Sequence, residues 1–301
     1  MSDVTASGDL AGLLDVATTV LDEAVPEFLG GLGAPSAHSK GGTDFATELD
    51  LALERRITRD LVARTGIEVH GEEFGGPDPS RGAVWLLDPI DGTFNYSTGL
   101  PLTAMLLALV VDGEPVIGLT WLPGQDQRFA AHQGGPLLID GRPAPDLGAG
   151  TLHSSAIGYV SYYVDQGGMF PGAERARVQG EITRRHARIR MHGSTGTDMA
   201  YVAAGKLAGA VSYGRHPWDH AAGVALVRAA GGLATDIHGR PWTVSTPSLV
   251  AAAPGVHDEL LDVIAAGEWP PPQTPAFGPQ DSPPAFGPQD SPQHPTERHD
   301  K

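Results

Sequence analysis

Two segments near the N-terminus carry apolar residues at the spacing of an amphipathic helix. The first covers residues 8–30 and the second covers residues 46–64. Short apolar runs rich in β-branched residues follow, and turn dipeptides such as Asp-Gly and Pro-Gly separate them. These runs predict strands at residues 67–70, 83–87, 103–111, 115–122 and 128–132.

The second half of the chain alternates between helical and strand patterns. It predicts helices near residues 173–185, 196–205, 219–230 and 256–266, and strands at 188–192, 208–213, 233–237 and 248–252. A stretch rich in Gly and Pro, residues 140–150, separates the two halves. We therefore predict an α+β fold of layered sheets and helices in two halves, residues 1–145 and 146–268.

The C-terminal segment differs from the rest in composition. It contains ten prolines from residue 270 onward, and the nine-residue string PAFGPQDSP occurs twice in succession, at 275–283 and 284–292. Because proline lacks a backbone donor and blocks both helix and sheet, residues 269–301 are predicted to form a disordered tail. The alternative is that the repeat is a proline-rich ligand for the groove of a partner protein.

The composition excludes several classes of function. The 301 residues include 20 basic and 36 acidic side chains, and the formal net charge is −16, which argues against non-specific nucleic-acid binding. The chain has no cysteine, so disulfides, thiolate metal sites and a cysteine nucleophile are excluded. No apolar run is long enough to cross a membrane, and the N-terminus lacks the basic region of a signal peptide. We expect a cytoplasmic protein.

The string WLLDPIDGTFN is the most informative in the chain. An apolar strand over residues 84–87 places Asp88 at its carboxyl end, and Asp91 follows after a proline turn. Two carboxylates so close together repel each other unless a cation lies between them, and Mg²⁺ prefers such oxygen ligands. The alternative is an ordinary turn, since Asp-Pro and Asp-Gly are common turn dipeptides.

Three further acidic elements accompany this string. The strand at 67–70 ends in Gly71-Glu72-Glu73, and if it pairs with the next strand, Glu72 and Asp88 lie at the same sheet edge. Asp219 precedes a helix of small residues, where it either caps the helix or binds a cation. The nearby histidines at 216 and 220 make zinc a weaker alternative, because zinc sites commonly include thiolates. Asp50 opens the second helix, either as part of a capping box with Thr47 or facing the metal edge.

A loop at Gly193-Ser194-Thr195 runs from a strand into a helix. Its backbone N–H groups are suited to bind an anion or a substrate hydroxyl. The sequence contains neither a phosphate-binding GxxxxGK[ST] loop nor a GxSxG nucleophile turn, since His192 occupies the first glycine position of the latter.

Taken in order, these elements resemble the inositol monophosphatase family of Mg²⁺-dependent, lithium-sensitive phosphatases. The matching strings are Gly71-Glu72-Glu73, the DPIDGT run at residues 88–93, and Trp218-Asp219 followed by a small-residue helix. The resemblance covers residues 8–267. It implies a layered αβαβα sandwich, a homodimer, and a small phosphorylated metabolite as substrate.

The resemblance also implies roles for individual residues. Glu72, Asp88 and the backbone carbonyl of Ile90 would hold one Mg²⁺, and Asp88, Asp91 and Asp219 a second. A third, weaker Mg²⁺ would lie near Glu72.

Catalysis would proceed without a covalent nucleophile. Thr93 and Glu72 would orient and deprotonate the attacking water, and Asp50 would complete that network. The N–H groups of Gly92 and Thr93 would bind phosphate oxygens.

The sequence departs from the family pattern at the positions that select the substrate. Inositol-specific members commonly carry a glutamate seven residues before the WD aspartate, where this chain has Ser212. Arg215 either contacts a second anionic group or lies on the surface, and Thr195 stands where alanine is common.

Inositol specificity is therefore open. Histidinol phosphate, fructose 1,6-bisphosphate and 3′-phosphoadenosine nucleotides are alternative substrates, and a non-catalytic binding protein is an alternative of another class.

Overall fold

The computed structural model describes residues 9–33, 47–267 and 269. Two helices come first, α1 (Leu10–Gly31) and α2 (Thr47–Thr65). The first sheet and one short helix follow: β1 (Val69–Gly71), β2 (Ala83–Asp91), α3 (Thr93–Ser97), β3 (Ala104–Val111), β4 (Glu114–Leu122), β5 (Gln127–His132), β6 (Leu138–Ile139) and β7 (Arg142–Pro143).

The remaining elements form the second sheet and its helices. They are β8 (Ala156–Tyr159), α4 (Gly172–Arg184), β9 (Arg188–Arg190), α5 (Thr195–Ala203), β10 (Gly209–Ser212), α6 (Ala221–Ala229), β11 (Leu233–Thr235), β12 (Leu249–Ala252) and α7 (Val256–Ala265). Two single 3₁₀ turns lie at Pro123–Gln125 and Pro217–Asp219. None of the helices among residues 9–33 and 47–267 is long and apolar enough to span a membrane.

The first sheet has seven strands in the order β1 to β7, and the second has five in the order β11-β12-β10-β8-β9. In the first sheet only β1 and β2 run parallel, and the other neighbours are antiparallel. In the second sheet β8 is parallel to both β9 and β10, whereas β12 is antiparallel to both of its neighbours. The carboxyl ends of β8, β9 and β10 therefore share one edge.

The first sheet is buried on both faces, which explains its continuous apolar strands. Along β3, Met105 and Leu107 pack with α1 and α2, whereas Leu106 and Ala108 pack with α5 and α6. Alternate residues of one strand thus enter different cores, because successive side chains point to opposite faces.

The second sheet is covered in the same way. Its outer face packs against α4 and α7 through Val211, Val178 and Leu260. Its inner face shares the core of α5 and α6, which includes Ala210 and Leu249. Five layers result, helix, sheet, helix, sheet, helix, and they confirm the αβαβα sandwich.

The sequence prediction did not include α3, β6 and β7, and three further details differ from it. The strand β8 was missed, because its short sequence AIGY contains Gly and Ala among few strand-forming residues. The strand β2 continues through Asp91 instead of ending before Asp88. Trp269 belongs to the folded body: its ring stacks on Tyr213, with centroids 5.3 Å apart, and Nε1 donates to the carbonyl of Ile264 at 2.8 Å. This corrects the start of the predicted tail, and residues 270–301 lie outside the described residues.

Candidate active site

The parallel pairing of β1 with β2 brings Glu72 beside Asp88. Gly71 pairs with Leu87, and the N–H of Glu72 donates to the carbonyl of Leu87 at 3.1 Å. The next residues along the two strands are therefore neighbours, and each carboxyl group affects the pKa of the other. This confirms the expectation that the two strands end at a common edge.

A β-bulge, not a proline turn, separates Asp88 from Asp91. Asp88 pairs with Leu106 and Asp91 with Ala104, so three steps along β2 match two steps along β3. The N–H of Ile90 donates to Oδ1 of Asp88 at 3.0 Å. The extra residue turns the strand locally, and both aspartates are buried within one strand end.

Asp91 is bonded to the start of α5. Its Oδ2 accepts hydrogen bonds from Oγ of Ser194 at 2.5 Å and from the N–H of Gly196 at 2.7 Å. Ser194 is also the N-cap of α5, because its Oγ accepts from the N–H of Thr197 at 3.1 Å. The sequence analysis assigned Ser194 to a loop that binds the substrate. In the structure its hydroxyl group is buried and hydrogen-bonded to Asp91.

Asp219 ends the 3₁₀ turn that follows β10. The preceding Trp218 ring is stacked between His70 on β1 and His216, with centroids 5.8 Å and 4.8 Å away. This stack joins the turn that carries Asp219 to the strand that leads into Glu72. Trp218 and His70 lie far apart in sequence. The distance between Glu72 and Asp219 therefore depends on ring packing that the sequence pattern does not show.

The second helix contributes two buried acids, Asp50 and Glu54. The carboxylate of Glu54 accepts from the N–H of Glu73 at 2.9 Å and from the N–H of Phe74 at 3.0 Å. A Cβ on Gly71 would lie 1.9 Å from Oε1 of Glu54, so only glycine fits there. Glu54 thus holds the turn that presents Glu72, and the sequence analysis missed it. Its place one helical turn after Asp50 was the available signal.

The carboxyl groups of this edge have strongly raised pKa values. Burial is the largest cause for Asp50, whose pKa rises to about 8 with added repulsion from Glu72 and Glu73. Loss of hydration and the neighbouring Glu73 raise the pKa of Glu72 to about 7. Burial raises the pKa of Asp91 to about 6, although the bonds from Ser194 and Gly196 act in the opposite direction.

The pKa values of the two remaining acids, Asp88 and Asp219, are raised for the same reasons. Burial and the repulsion of Glu72 and Asp91 raise the pKa values of Asp88 and Asp219 well above their ordinary range. For each of these groups, the charges that raise the pKa are other carboxylates. Neighbouring carboxylates that repel one another are the electrostatic setting that a hard divalent cation stabilises.

This donor set fits Mg²⁺ in its chemistry. All of its side chains are carboxylates, which Mg²⁺ prefers over nitrogen or sulfur ligands. Within residues 9–33 and 47–267, no three Asp, Glu or His side chains are already drawn together around one point. A bound cation would relieve the mutual repulsion of these carboxylates.

The phosphate-binding candidates lie beside these acids. Gly92 adopts a left-handed conformation with φ of 84°, and a Cβ there would lie 3.1 Å from Cβ of Ser194. Oγ1 of Thr93 lies 3.3 Å from the carbonyl of Ile90, so its hydroxyl faces the bulge. Asn95, also missed from the sequence, donates to the carbonyl of His192 at 2.7 Å and holds α3 against the Gly193 loop.

Two predicted selectivity residues have different surroundings. Ser212 is buried at the end of β10, and its Oγ lies 3.0 Å from Nε2 of His220. Burial lowers the pKa of His220 to about 3, so this ring is neutral. Arg215 is exposed on the following loop.

Comparison with known proteins decides the family. The model of the inositol monophosphatase family matches residues 9–266. Inositol-1-monophosphatase ImpA of Mycolicibacterium smegmatis is 55% identical over 255 residues, which are 85% of this chain and 92% of that protein. The chain belongs to the inositol monophosphatase family.

Other relatives agree with this placement. The probable inositol 1-monophosphatase ImpA of Mycobacterium tuberculosis is 52% identical, covering 85% of this chain and 95% of that protein. The solved inositol monophosphatase of Anabaena superposes with a TM-score of 0.75 at 25% identity, covering 87% of this chain and 98% of the other. The enzyme from Thermotoga maritima superposes with a TM-score of 0.74 at 26% identity, covering 84% and 96%.

Membership of the inositol monophosphatase family makes this chain a phosphoric monoester hydrolase. The family depends on Mg²⁺, which agrees with the all-carboxylate edge formed by Glu72, Asp88, Asp91 and Asp219. The sequence prediction of a metal-dependent phosphatase is thereby confirmed.

Proposed function

We propose that this chain hydrolyses inositol 1-phosphate, or a polyol phosphate of similar size, by attack of water on phosphorus. The observation that supports the proposal most directly is the convergence of Glu72, Asp88, Asp91 and Asp219 on one sheet edge beside Thr93. The two ImpA relatives, at 55% and 52% identity, are named for inositol 1-phosphate hydrolysis. Their identity over 85% of this chain favours that substrate over the other phosphate esters.

The acids at this sheet edge are numerous enough to bind two or three Mg²⁺ ions per subunit. Glu72, Asp88 and the carbonyl of Ile90 would hold the first ion, and Asp88, Asp91 and Asp219 the second. A third would lie near Glu72. When bound, Mg²⁺ polarises the phosphoryl oxygens, lowers the pKa of a bound water and stabilises the leaving alkoxide.

The protein groups orient the reaction. Thr93 positions the attacking water, and the carboxylate of Glu72 accepts its proton. Asp50 lies within electrostatic reach of Glu72 and completes this network. The water oxygen forms a bond to phosphorus while the bond from phosphorus to the polyol oxygen breaks, and the polyol oxygen then takes a proton from solvent. The N–H groups of Gly92 and Thr93 bind the phosphate oxygens.

The polyol is held by a different set of contacts than in members with a glutamate before the WD motif. Ser212 is buried and bonded to His220, so it is poorly placed to reach a ring hydroxyl. We propose that Gly193, Thr195 and Asp219 contact the polyol, and that Arg215 at the rim contacts a further anionic group where the substrate has one.

The decisive experiment is a panel of phosphate esters with the purified full chain. We expect inositol 1-phosphate to have the highest kcat/KM, well above histidinol phosphate, fructose 1,6-bisphosphate and 3′-phosphoadenosine nucleotides. Activity should require Mg²⁺ and show uncompetitive inhibition by Li⁺. A preference for one of the other esters would leave the assignment as a phosphatase intact and show that inositol 1-phosphate is not the preferred substrate. Mg²⁺-independent turnover would reject the mechanism.

We further infer a homodimer, as the family likeness implies. Light scattering during gel filtration tests the oligomeric state, and a mass of one chain at micromolar concentration would contradict it.

A further inference from the structure

A cavity lies at one edge of the second sheet, opposite to the edge that faces the acids. Its volume is about 430 Å³, within the range of small-ligand sites. The starts of β8 and β10 and the loop after α5 form its walls. Its lining includes Gly148, Thr151, Ser155, Arg188 and Lys206.

The charges of this cavity are all positive. Arg188 and Lys206 line it, and no Asp or Glu does. Nη1 of Arg188 donates to the carbonyl of Ser154 at 3.2 Å, and Nζ of Lys206 donates to Oε1 of Gln127 at 2.8 Å; both acceptors are uncharged. Nζ of Lys206 also lies over the Tyr201 ring, 4.7 Å from its centroid, so binding of an anion in the cavity requires this flexible side chain to turn inward. In the described part of the chain neither cation is in an ion pair, whereas Arg56 and Arg228 each pair with a glutamate.

Two such cations are unusual in a chain with a net charge of −16. The rest of the lining supplies the hydroxyl group of Thr151 and glycine backbone, whereas Oγ of Ser155 already donates to the carbonyl of Leu152 at 2.7 Å. Positive charge and a hydroxyl group favour a phosphate group over a cation or an apolar ligand.

We propose that this cavity is a second, non-catalytic binding site for the phosphate group of a small metabolite. Arg188 and Lys206 bind the phosphate, and the remaining volume accommodates the organic part. The site is separate from the acids: Gly205 and Lys206 follow the carboxyl end of α5, whereas Gly196, which bonds to Asp91, lies in its first turn.

The test uses the metal-free chain in EDTA. Without Mg²⁺ the crowded carboxylates repel phosphate, so binding measured by calorimetry or ³¹P NMR reports the second site. The probes are inorganic phosphate and glycerol 2-phosphate. We expect both to bind the wild type, and the double variant R188A/K206A to bind at least tenfold more weakly. A tighter complex with the ester would identify an organic phosphate as the ligand, and equal affinities would identify free phosphate.

Two further variants separate charge from structure. Arg190→Ala removes an exposed arginine from the same strand outside the cavity, and should bind as the wild type does. Gly148→Phe keeps every charge and places a ring in the cavity, where an added Cβ meets no atom within 4 Å. It should lose binding of the ester. Absence of phosphate binding in the wild type, or unchanged affinity in both R188A/K206A and G148F, would overturn the proposal.

Discussion

Ser194 donates a hydrogen bond of 2.5 Å to Asp91, and this bond joins the N-cap of α5 to the end of β2 across 103 residues of sequence. The N–H of Gly196 donates to the same oxygen, Oδ2. Oδ1 is left outside these two bonds. The middle helix layer therefore fixes the orientation of an acid that belongs to the first sheet.

Replacement of Asp91 by asparagine should preserve the fold and abolish most activity. The amide oxygen can accept the bonds from Ser194 and Gly196, whereas the amide nitrogen cannot bind a cation. We expect kcat/KM to fall at least about 100-fold, with a higher Mg²⁺ requirement. In EDTA the melting temperature should rise, since one buried like charge is gone.

Steady-state kinetics over a Mg²⁺ titration and thermal unfolding check this pair of outcomes. Asp165→Asn, on an exposed loop, is the control and should change neither. Near-wild-type turnover of D91N at low Mg²⁺ would reject a role for Asp91 as a metal ligand.

The metal-free protein should lose stability as pH rises from about 4 to about 8. The folded-state pKa values of Asp50, Glu72 and Asp91 are about 8, 7 and 6, above their ordinary values of 3.8 to 4.5. The folded state then binds more protons than the unfolded state throughout this window, and stability decreases with pH. Their contribution to the slope is halved for a single group at its pKa, and it fades within about one pH unit below 4 and above 8.

Melting temperatures in EDTA and in saturating Mg²⁺ measure this effect. We expect the decrease to be larger in EDTA, because the cation compensates the ionised carboxylates. Asp50→Asn should flatten the upper part of the curve. A metal-free protein whose melting temperature rises between pH 5 and pH 8 would contradict the assignment.

Glu54→Gln should weaken metal binding although Glu54 is not expected to touch the metal. A glutamine has one acceptor oxygen for the two N–H donors of Glu73 and Phe74, so its NH₂ group must face the second donor. We expect a loss of about 1–3 kcal/mol in folding stability and a higher Mg²⁺ requirement, with a smaller change in kcat at saturating Mg²⁺.

The matched control is Glu48→Gln, an exposed acid in the same helix. Thermal unfolding and the Mg²⁺ concentration for half-maximal rate are the measurements. If E54Q and E48Q behave alike, Glu54 does not position the turn that carries Glu72.

Truncation should identify Trp269 as the last residue of the folded body. A chain ending after Trp269 should melt as the full chain does. A chain ending after Gly267 should be less stable by about 1–2 kcal/mol, because the ring contacts with Phe170 and Tyr213 are lost. Neither truncation should alter turnover of a small substrate. Equal melting temperatures for the two truncations would show that the Trp269 contacts contribute nothing.

Ser212→Glu should destabilise the chain and fail to improve inositol phosphate hydrolysis. The new carboxylate would be buried beside His220, whose neutral ring supplies no charge to compensate the lost hydration. We expect a lower melting temperature and no increase in kcat/KM. Ser212→Ala tests the hydrogen bond alone and should cost about 1 kcal/mol. A tenfold gain in kcat/KM for S212E would show instead that position 212 selects the polyol.

The sequence by itself determined the family and the fold class, and it named the candidate acids of the site. Glu72, Asp88, Asp91 and Asp219 stand in strings whose order and spacing are characteristic, and alternating apolar residues define the strands and helices that carry them. These are local properties, since a strand or helix depends on the periodicity of its own residues.

Only the tertiary structure decided how those acids are held. The bulge between Asp88 and Asp91 depends on the register of β2 against β3, which no residue of β2 encodes alone. The roles of Glu54 and Ser194 depend on hydrogen-bond partners 19 and 103 residues away. Trp269 was assigned to the tail by its composition, because its packing on Tyr213 exists only once the chain has folded. Long-range contacts of this kind leave no periodic signal, and they set the geometry on which metal binding and substrate choice depend.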